Sequence, residues 1–403
     1  MQSLSKKIWI FIFFIITQTN VFSQPMERTI EEIKVEAQFR AERGAYPMGG
    51  LDPQDVAQAL LLIKTRDRDD WANGWSLVAQ KYMSQAIGAK NVEEAASLYK
   101  RAWRLFYMAQ WPVPNSLGKQ NAYDNALKSY ASYAQTLSPA LNVVKIPFEG
   151  KFITGYLRLP QSSTPVPLIL AISGLDSRKE TVADSYNQVI SKGVGYFAVD
   201  GPGTGQAPIK VSANAERMFT AVLDYLQKIP QVDPNRIIVS GVSFGGYWSA
   251  KLGIVEKSRL LGSVSQSPPI DEFFSVKFLQ EKTLGNKEYL FDLAPAFVNV
   301  FEGADSVEDL KRIMPGMSLK AQGLLGEQTV PMLVVGGGLD TQVPVSDIEL
   351  LMRSGDMPKE LWLNPRGGHL GREIKGWTDP VIFSKIIIPW ELRLLEDSKK
   401  SAP

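Results

Sequence analysis

Apolar residues at helical spacing dominate the first third of the chain, and strand-like alternation is absent there. The clearest stripe follows Asn91, which is placed to cap a helix, and consists of Ala95, Leu98, Ala102, Leu105, Phe106 and Ala109. A second stripe runs through residues 123–137 and ends before Pro139. Apolar side chains at this spacing pack one face of a helix against a core. The pattern predicts an all-helical cap domain over residues 24–140, in which the aromatic stripes are packing surfaces between helices.

From residue 141 onward, short apolar runs alternate with amphipathic segments. The runs typical of strands, of which the first two form a hairpin, are 143–148, 152–159, 167–172, 194–199, 236–240, 261–265, 331–336 and 360–364. An amphipathic helix is predicted at 213–227. The alternation indicates an α/β fold with a mostly parallel sheet flanked by helices over residues 141–403. The stretch 271–327 interrupts it, and either adds to a roof over the site or serves a structural role.

A serine motif lies between a predicted strand and a predicted helix. The pentapeptide Gly241-Val242-Ser243-Phe244-Gly245 follows the run 236–240 and precedes a helical pattern. The motif alone is a weak signal, but a strand, a tight turn and a helix are what a nucleophile elbow requires. The glycines allow the strained turn and the close approach of strand and helix. Ser243 is therefore the candidate nucleophile.

The chain has one histidine, His369, and therefore one imidazole for proton transfer near neutral pH. His369 follows the predicted strand 360–364 in a glycine-rich loop. Asp340 follows the strand 331–336 in another such loop and is the candidate acid, unless it only closes a turn. Asp347 is the fallback acid. The order serine, acid, histidine is the one that α/β-hydrolases use, so the sequence predicts a Ser-His-Asp triad.

Backbone amides near the serine are candidates for an oxyanion hole. Residues 173–177 directly follow the strand 167–172, and the amide of Leu175 is predicted to act with that of Phe244. The charged residues beside this loop are predicted to fix it rather than to contact substrate: Asp176, Arg178, Lys179 and Glu180.

Several chemistries are excluded by composition and local sequence. Residues 200–205 superficially resemble a dinucleotide fingerprint, but Pro202 and Pro208 disfavour a helix there and Gln206 replaces the third glycine. One histidine and no cysteine leave only carboxylates as metal ligands. Without cysteine there is also no disulfide and no thiolate nucleophile. We therefore expect no cofactor and no metal.

The N-terminus is typical of an export signal. Lys6 and Lys7 precede the apolar run 8–16, and small or tolerated residues follow up to Ser23. That run is too short to cross a bilayer, which takes about 20 residues. The sequence predicts a Sec signal peptide over residues 1–23, cleaved near Ser23, and hence a periplasmic or secreted protein with no stable membrane anchor. The alternative is an uncleaved anchor.

Without residues 1–23 the chain carries 42 basic and 42 acidic residues. Its bulk charge therefore favours neither nucleic acid nor an anionic membrane as a partner. The expected partner is a small-molecule acyl substrate, and a homo-oligomer is left open.

Taken together, these motifs resemble the α/β-hydrolase superfamily and, within it, the FrsA-type esterase and dihydroxypseudooxynicotine hydrolase-like group. The matching segments are 174–180, 200–205, 241–247, the Asp340 loop and 368–371. The resemblance implies a helical N-terminal cap before the hydrolase domain. It also implies that Ser243 is the nucleophile, Asp340 the orienting acid and His369 the base.

The resemblance also raises two points of detail. Some members use an extra acid after the strand that follows the nucleophile helix, and Asp271 or Glu272 is the possible auxiliary acid at this place. Ser173 stands where the family often has glycine. The predicted function is an exported serine hydrolase that cleaves an ester or related acyl bond through an acyl-enzyme. The alternatives are carbon-carbon cleavage of a β-dicarbonyl (retro-Claisen) substrate and a non-enzymatic, hydrolase-like binding protein.

Overall fold

The computed structural model describes residues 27–356 and 358–400. The predicted signal peptide lies outside these residues and stays a prediction. Within the described ranges, no helix is both long and apolar enough to cross a bilayer.

The N-terminal part of the described chain is helical, as predicted. Its helices are α1 (Ile30–Arg43), α2 (Pro53–Leu62), α3 (Arg68–Ile87), α4 (Val92–Gln110) and α5 (Leu117–Ala134). The Asn91 side chain caps α4 by accepting a hydrogen bond from the amide of Glu94 at 2.8 Å. Helix α5 begins ahead of the predicted stripe because Ser116 caps it. The aromatic side chains Trp103 and Tyr130 are buried, which is consistent with packing surfaces between helices.

A mixed sheet follows, built by eight strands of the described residues in the order β1-β2-β4-β3-β5-β6-β7-β8. The strands are β1 (Asn142–Phe148), β2 (Lys151–Arg158), β3 (Val166–Ile172), β4 (Gly195–Val199), β5 (Val232–Val242), β6 (Gly262–Gln266), β7 (Met332–Gly337) and β8 (Lys359–Asn364). Strand β2 pairs antiparallel with β1 and β4, and the other pairs are parallel. Every residue of β3, β4, β6 and β7 is buried, as expected for a sheet covered on both faces. The predicted hairpin and mostly parallel sheet are confirmed.

Helices connect the parallel strands, and further helices follow β8. They are α6 (Lys179–Tyr186), α7 (Arg217–Leu226), α8 (Phe244–Val255), α9 (Val276–Phe278), α10 (Leu293–Val300), α11 (Val307–Ile313), α12 (Val345–Arg353), α13 (Asp379–Ile382) and α14 (Ile388–Lys400). Between β6 and β7 the chain leaves the sheet and makes α9, a π-helical turn at Leu279–Thr283, α10 and α11. We call residues 269–300 the roof segment.

The N-terminal helical region holds the roof segment through bonds to its backbone and through ring contacts such as that of Trp111 with Tyr289. The Arg28 guanidinium donates to the carbonyl oxygens of Lys287 and Tyr289 at 2.9 and 2.7 Å. Arg40 of α1 donates to the carbonyl of Lys287 at 2.9 Å and also to that of Glu288. These bonds fix the part of the roof segment that precedes α10.

A charge cluster in which Lys119 is fully buried makes a second attachment at Asp292. Arg68 of α3 donates twice to its carboxylate at 2.8 Å, and Asn115 and Lys119 donate at 3.1 and 3.3 Å. Burial lowers the pKa of Lys119 to about 8, although Asp292 opposes this shift. Burial alone would raise the pKa of Asp292, but Arg68 and Lys119 outweigh it and the pKa is lowered. The cluster therefore ties α3 and α5 to the start of α10.

Candidate active site

The chain turns sharply between β5 and α8, and Ser243 lies in the turn. Ser243 has φ 55°, which is a strained conformation for a residue other than glycine. A Cβ at Gly241 would lie 2.0 Å from the carbonyl oxygen of Gly245, and one at Gly245 would lie 2.5 Å from that of Ile172. Glycine is therefore needed at both positions for strand and helix to approach this closely. The local structure is the strand, turn and helix of a nucleophile elbow.

Three residues from separate loops form a hydrogen-bonded chain at the carboxyl end of the sheet. His369 Nε2 lies 2.9 Å from Ser243 Oγ, and His369 Nδ1 lies 2.8 Å from Asp340 Oδ2. The side chains of His369 and Asp340 are 4% and 1% exposed. The structure thus brings together the serine, imidazole and carboxylate that the sequence singled out.

The surroundings of Asp340 favour its ionised form. Burial alone would raise its pKa, but the neighbouring His369 and the amides of Val343 and Gln342 outweigh burial, so the pKa lies below its usual range. Both amides donate to Asp340 Oδ1 at 2.9 Å. A carboxylate facing Nδ1 keeps the proton on that nitrogen and leaves Nε2 free to accept one from the serine.

The loop that carries His369 is fixed from β6. Gln266 Nε2 donates to the carbonyl of Leu370 at 2.9 Å, and the amide of Leu370 donates to Ser267 Oγ at 2.9 Å. Leu370 has φ 64°, so these two bonds hold a strained residue next to the imidazole. The sequence analysis missed Gln266 and Ser267. Their place at the carboxyl end of a strand was the available signal, the same one that pointed to Asp340.

The two amides predicted for an oxyanion hole border the same pocket as Ser243. Leu175 and Phe244 both line it. The hydrogen bonds found within the described residues include none donated by either amide to a protein acceptor. Phe244 is also the first residue of α8, where amides lack partners inside the helix and the helix dipole favours negative charge. Both amides are thus available to an oxygen above Ser243.

The Leu175 loop is attached to the N-terminal helices by its charged neighbours. Arg178 donates to the carbonyls of Leu175 and Pro112 at 3.2 and 2.9 Å. The carboxylate of Asp176 accepts from Trp111 Nε1 at 3.3 Å and from the Tyr46 hydroxyl. These contacts fit the predicted loop-fixing role.

Other charges hold the neighbouring loop at residues 200–206. Lys179 is fully buried and forms ion pairs with Glu180 at 2.8 Å and Asp200 at 3.1 Å. Asp200 also accepts from the amide of Gln206 at 2.9 Å. Ser173 Oγ accepts from the amide of Gly201 at 3.2 Å, which gives the serine at the family's glycine position a structural contact.

Asp347 is bonded to the roof segment, whereas the imidazole is bonded to Asp340. Its carboxylate is buried and accepts hydrogen bonds from the amides of Ile270, Glu272 and Phe273 at 2.7, 2.8 and 3.3 Å. Burial raises the pKa of Asp347 to about 6, although these amides oppose the shift. Asp347 therefore fixes the beginning of the roof segment.

The two possible auxiliary acids are held by other serines. Asp271 accepts a hydrogen bond from Ser318 at 2.5 Å, and Glu272 accepts one from Ser346. Neither carboxylate lines the pocket at Ser243. The auxiliary-acid role stays a prediction without a contact to support it. No group of three or more carboxylates or imidazoles within residues 27–356 and 358–400 is arranged to hold a metal ion.

The pocket above Ser243 is narrow and mostly apolar. The space that the centre of a water-sized sphere can reach within it is about 30 Å³. The residues that line it are Leu175, Ser243, Phe244, Pro269, Phe273, Thr283, Asn286, Tyr289, Leu293, Phe297, Gln342 and Val343. In the described part of the chain, this lining comes from loops at the sheet edge, from the first residue of α8 and from the roof segment. The N-terminal helices contribute no lining residue. They contact the roof segment and the Leu175 loop, which do line the pocket.

Comparison with known proteins identifies relatives of similar length. The chain matches the family described as Esterase FrsA-like over residues 61–364. It is 25% identical over 358 residues to Esterase FrsA of Shigella sonnei (strain Ss046), covering 82% of this chain and 85% of the relative. Esterase FrsA of Escherichia coli O9:H4 (strain HS) gives the same identity and coverage.

Solved structures share the fold. The 2,6-dihydroxy-pseudo-oxynicotine hydrolase superposes with a TM-score of 0.72 at 21% identity, covering 92% of this chain and 97% of that one. Wild-type AbyA5 gives a TM-score of 0.70 at 18% identity, covering 92% and 95%. The predicted α/β-hydrolase fold with its N-terminal helical region is thus confirmed. Because the family match spans most of its length, the chain belongs to the FrsA-like esterase family of α/β-hydrolase enzymes.

Proposed function

We propose that this enzyme is an exported serine hydrolase that cleaves an ester, or a related acyl bond, with Ser243 as nucleophile. The observation that carries the proposal is the buried chain of two hydrogen bonds, 2.9 Å from Ser243 Oγ to His369 Nε2 and 2.8 Å from His369 Nδ1 to Asp340. A serine hydroxyl becomes a good nucleophile only when a base takes its proton, and His369 lies within reach to do so.

The reaction takes place in two halves. His369 Nε2 accepts the hydroxyl proton as Ser243 Oγ bonds to the acyl carbon, and Asp340 stabilises the imidazolium. The proton then passes to the leaving alcohol, the bond from the acyl carbon to that alcohol breaks, and an acyl-enzyme remains. Water attacks the acyl-enzyme with His369 as base, and the acid product and free Ser243 are released.

The amides of Leu175 and Phe244 stabilise the oxyanion in both halves. Neither has a protein acceptor within the described residues, and both border the pocket at Ser243. Loss of one such donor costs about 3 kcal/mol of transition-state stabilisation in related sites. The attachment of the Leu175 loop by Arg178 and Asp176 therefore contributes to catalysis by keeping one amide in place.

Ester cleavage fits the pocket better than carbon-carbon cleavage. A retro-Claisen reaction expels a carbanion, and a nearby acid or a dense set of polar groups would stabilise that leaving group. Within the described part of the chain the lining residues include no carboxylate and are mostly apolar. An alkoxide leaving group, protonated by His369, needs neither feature.

Labelling with a fluorophosphonate probe tests the proposal directly. The purified protein without residues 1–23 should be labelled at Ser243 and should hydrolyse short p-nitrophenyl esters. Ser243→Ala should lose both properties, whereas Ser249→Ala, on the same helix but bonded to Ser265, should keep both. His369→Gln should lose hydrolysis, because the chain has no second histidine. A folded protein that takes up no label would contradict the proposed function.

The proposed export has its own test. Expression of the full chain in a bacterium, followed by separation of periplasm and cytoplasm and N-terminal sequencing, should give a periplasmic protein that begins near Gln24. An unprocessed protein in the cytoplasm would contradict export and leave the catalytic proposal unaffected.

A further inference from the structure

One buried hydroxyl in the pocket has no partner. Thr283 is 4% exposed, and its Oγ1 is shielded from solvent and makes no hydrogen bond. Thr283 lines the same pocket as Ser243. Among the buried, unpartnered polar side-chain atoms of residues 27–356 and 358–400, Thr283 Oγ1 is the one that belongs to this pocket. Because folded proteins rarely leave such a group unpaired, a molecule bound in the pocket is the available partner.

Neighbouring amide side chains in the pocket are already engaged. Asn286 donates to the carbonyl of Thr341 at 2.7 Å and accepts from the amide of Glu288 at 2.9 Å. Gln342 Nε2 donates to the Glu288 carboxylate at 2.8 Å. These bonds shape the wall of the pocket, whereas the hydroxyl of Thr283 is left to interact with a ligand.

The backbone around Thr283 gives an independent sign of function. Thr283 ends a π-helical turn, in which the amide of Leu284 donates to the carbonyl of Leu279 at 3.0 Å. Single π-helical turns occur frequently at functional sites. A threonine in a regular helix commonly bonds its hydroxyl to the carbonyl four residues earlier, which would be Leu279, but the Thr283 hydroxyl makes no such bond. Leu279 itself is fully buried, so the turn is anchored in the core.

The other residues that line the pocket determine which chemical groups of a ligand can lie against the Thr283 hydroxyl. Phe273, Leu293 and Phe297 supply apolar surface, and the lining contains no charged side chain in the described part of the chain. An ionised substrate group would be desolvated there without a counter-charge, which is unfavourable. An uncharged oxygen is the matching partner for a hydroxyl in such surroundings.

We infer that Thr283 is a specificity residue, whose hydroxyl bonds an uncharged oxygen of the substrate at a place other than the scissile ester. The favoured substrates are apolar esters that carry one additional hydroxyl, ether or keto oxygen. This inference rests on the proposed role of Ser243. A site built to bond such an oxygen discriminates against the analogue that lacks it, because the hydroxyl is then left buried and unpaired.

Matched substrate pairs test the inference. The acyl-side pair is p-nitrophenyl hexanoate and p-nitrophenyl 4-methoxybutyrate, which have chains of equal length, and the alcohol-side pair is butyl butyrate and 2-methoxyethyl butyrate. For each protein the ratio of kcat/KM within a pair is measured, because this ratio does not depend on the fraction of active enzyme. The wild type should prefer the oxygenated member of one pair by about ten-fold or more, and the pair that responds shows on which side of the ester the oxygen lies.

Variants at Thr283 then assign the preference. Thr283→Val removes the hydroxyl at nearly constant size and should bring the ratio close to one, and Thr283→Ser should keep most of the preference. Thr329→Val removes another buried hydroxyl, one that bonds the carbonyl of Val330, and should leave the ratio unchanged. A ratio near one in both pairs for the wild type, or a preference that survives in Thr283→Val, would overturn the inference. Fluorophosphonate labelling of the wild type separates this failure from failure of the proposed function.

Discussion

At the scale of single residues, Asp340 and Asp347 show how their surroundings give one functional group two behaviours. Asp340 faces an imidazole and two amides, and its pKa is lowered. Asp347 is bonded to backbone amides alone, and burial raises its pKa to about 6. Asp340 can therefore orient and stabilise an imidazolium, whereas Asp347 anchors the roof segment.

Replacing each acid by its amide tests this division. Asp340→Asn should lower kcat about 10³-fold or more, because the amide no longer holds the proton on Nδ1 and favours the wrong tautomer of His369. Asp347→Asn is the matched control and should change kcat less than about ten-fold, since it has no contact with the imidazole. The measurement is kcat for a p-nitrophenyl ester, corrected by active-site titration. Equal losses in the two variants would contradict the assignment.

The sequence could predict these residues only in part. Ser243 and Asp340 follow predicted strands, and parallel strands bring their carboxyl ends to one edge, so their proximity was predictable. The choice between Asp340 and Asp347 depends on the direction in which the loop points each side chain, which no local pattern specifies. Gln266 and Thr283 belong to no motif. Their importance follows from the folded structure, in which Gln266 bonds the loop that carries His369 and the Thr283 hydroxyl has no hydrogen-bond partner.

At the scale of secondary-structure elements, the elbow between β5 and α8 depends on glycines, which have no side chain to obstruct the close approach of strand and helix. Gly245→Ala would put a Cβ 2.5 Å from the carbonyl oxygen of Ile172. Since backbone atoms on both sides must move, we expect a loss of about 2 kcal/mol or more in the free energy of unfolding and a displaced serine. Gly326→Ala is the control, because a Cβ there meets nothing within 4 Å. Urea unfolding compares the two, and similar stabilities would contradict the close-approach explanation.

The elements differed in how well the sequence predicted them. The strands of the sheet core are nearly continuous apolar runs, and the stripe of α4 has helical spacing, so both were predictable. The sequence did not allow the roof segment to be divided into separate helices, because α9 has three residues and passes directly into a π-helical turn. Its fold is set by contacts with α1, α3 and α5, which lie far away in the chain.

At the scale of the whole molecule, a buried carboxyl group links stability to pH. Glu391 of α14 is 1% exposed, and its Oε1 lies 2.7 Å from the hydroxyl of Tyr186, which in turn lies 2.6 Å from Ser240 Oγ of β5. Burial raises the pKa of Glu391 from 4.5 to about 8, although Tyr186 and Ser240 oppose the shift. The folded protein therefore keeps a proton that the unfolded chain releases.

The sign of the effect follows from this difference. The contribution of Glu391 is complete below about pH 4.5 and is lost as the pH rises to about 8, which amounts to up to about 5 kcal/mol. Glu391→Gln keeps a neutral group of the same shape and should flatten the stability between pH 6.5 and 8. The smaller contribution of Asp347, lost as the pH rises from 3.8 to about 6, should remain. Urea unfolding at pH 5, 6.5 and 8 measures both, and a wild type whose stability does not fall over this range would refute the link.

The hydrogen bonds between the N-terminal region and the roof segment bear on how the sequence of the roof segment can change between related enzymes. Arg28 and Arg40 bind carbonyl oxygens, which every amino acid possesses, whereas the bonds to Asp292 require its carboxylate. The bonds to Arg28 and Arg40 therefore tolerate a change of side chain at residues 287–289, although Glu288 also bonds Gln342 and Tyr289 stacks on Trp111 through their side chains. Exchanging residues 283–291 between related enzymes, a stretch that carries Thr283, Asn286 and Tyr289 of the pocket lining, should transplant substrate preference while the scaffold and the reacting groups stay as they are.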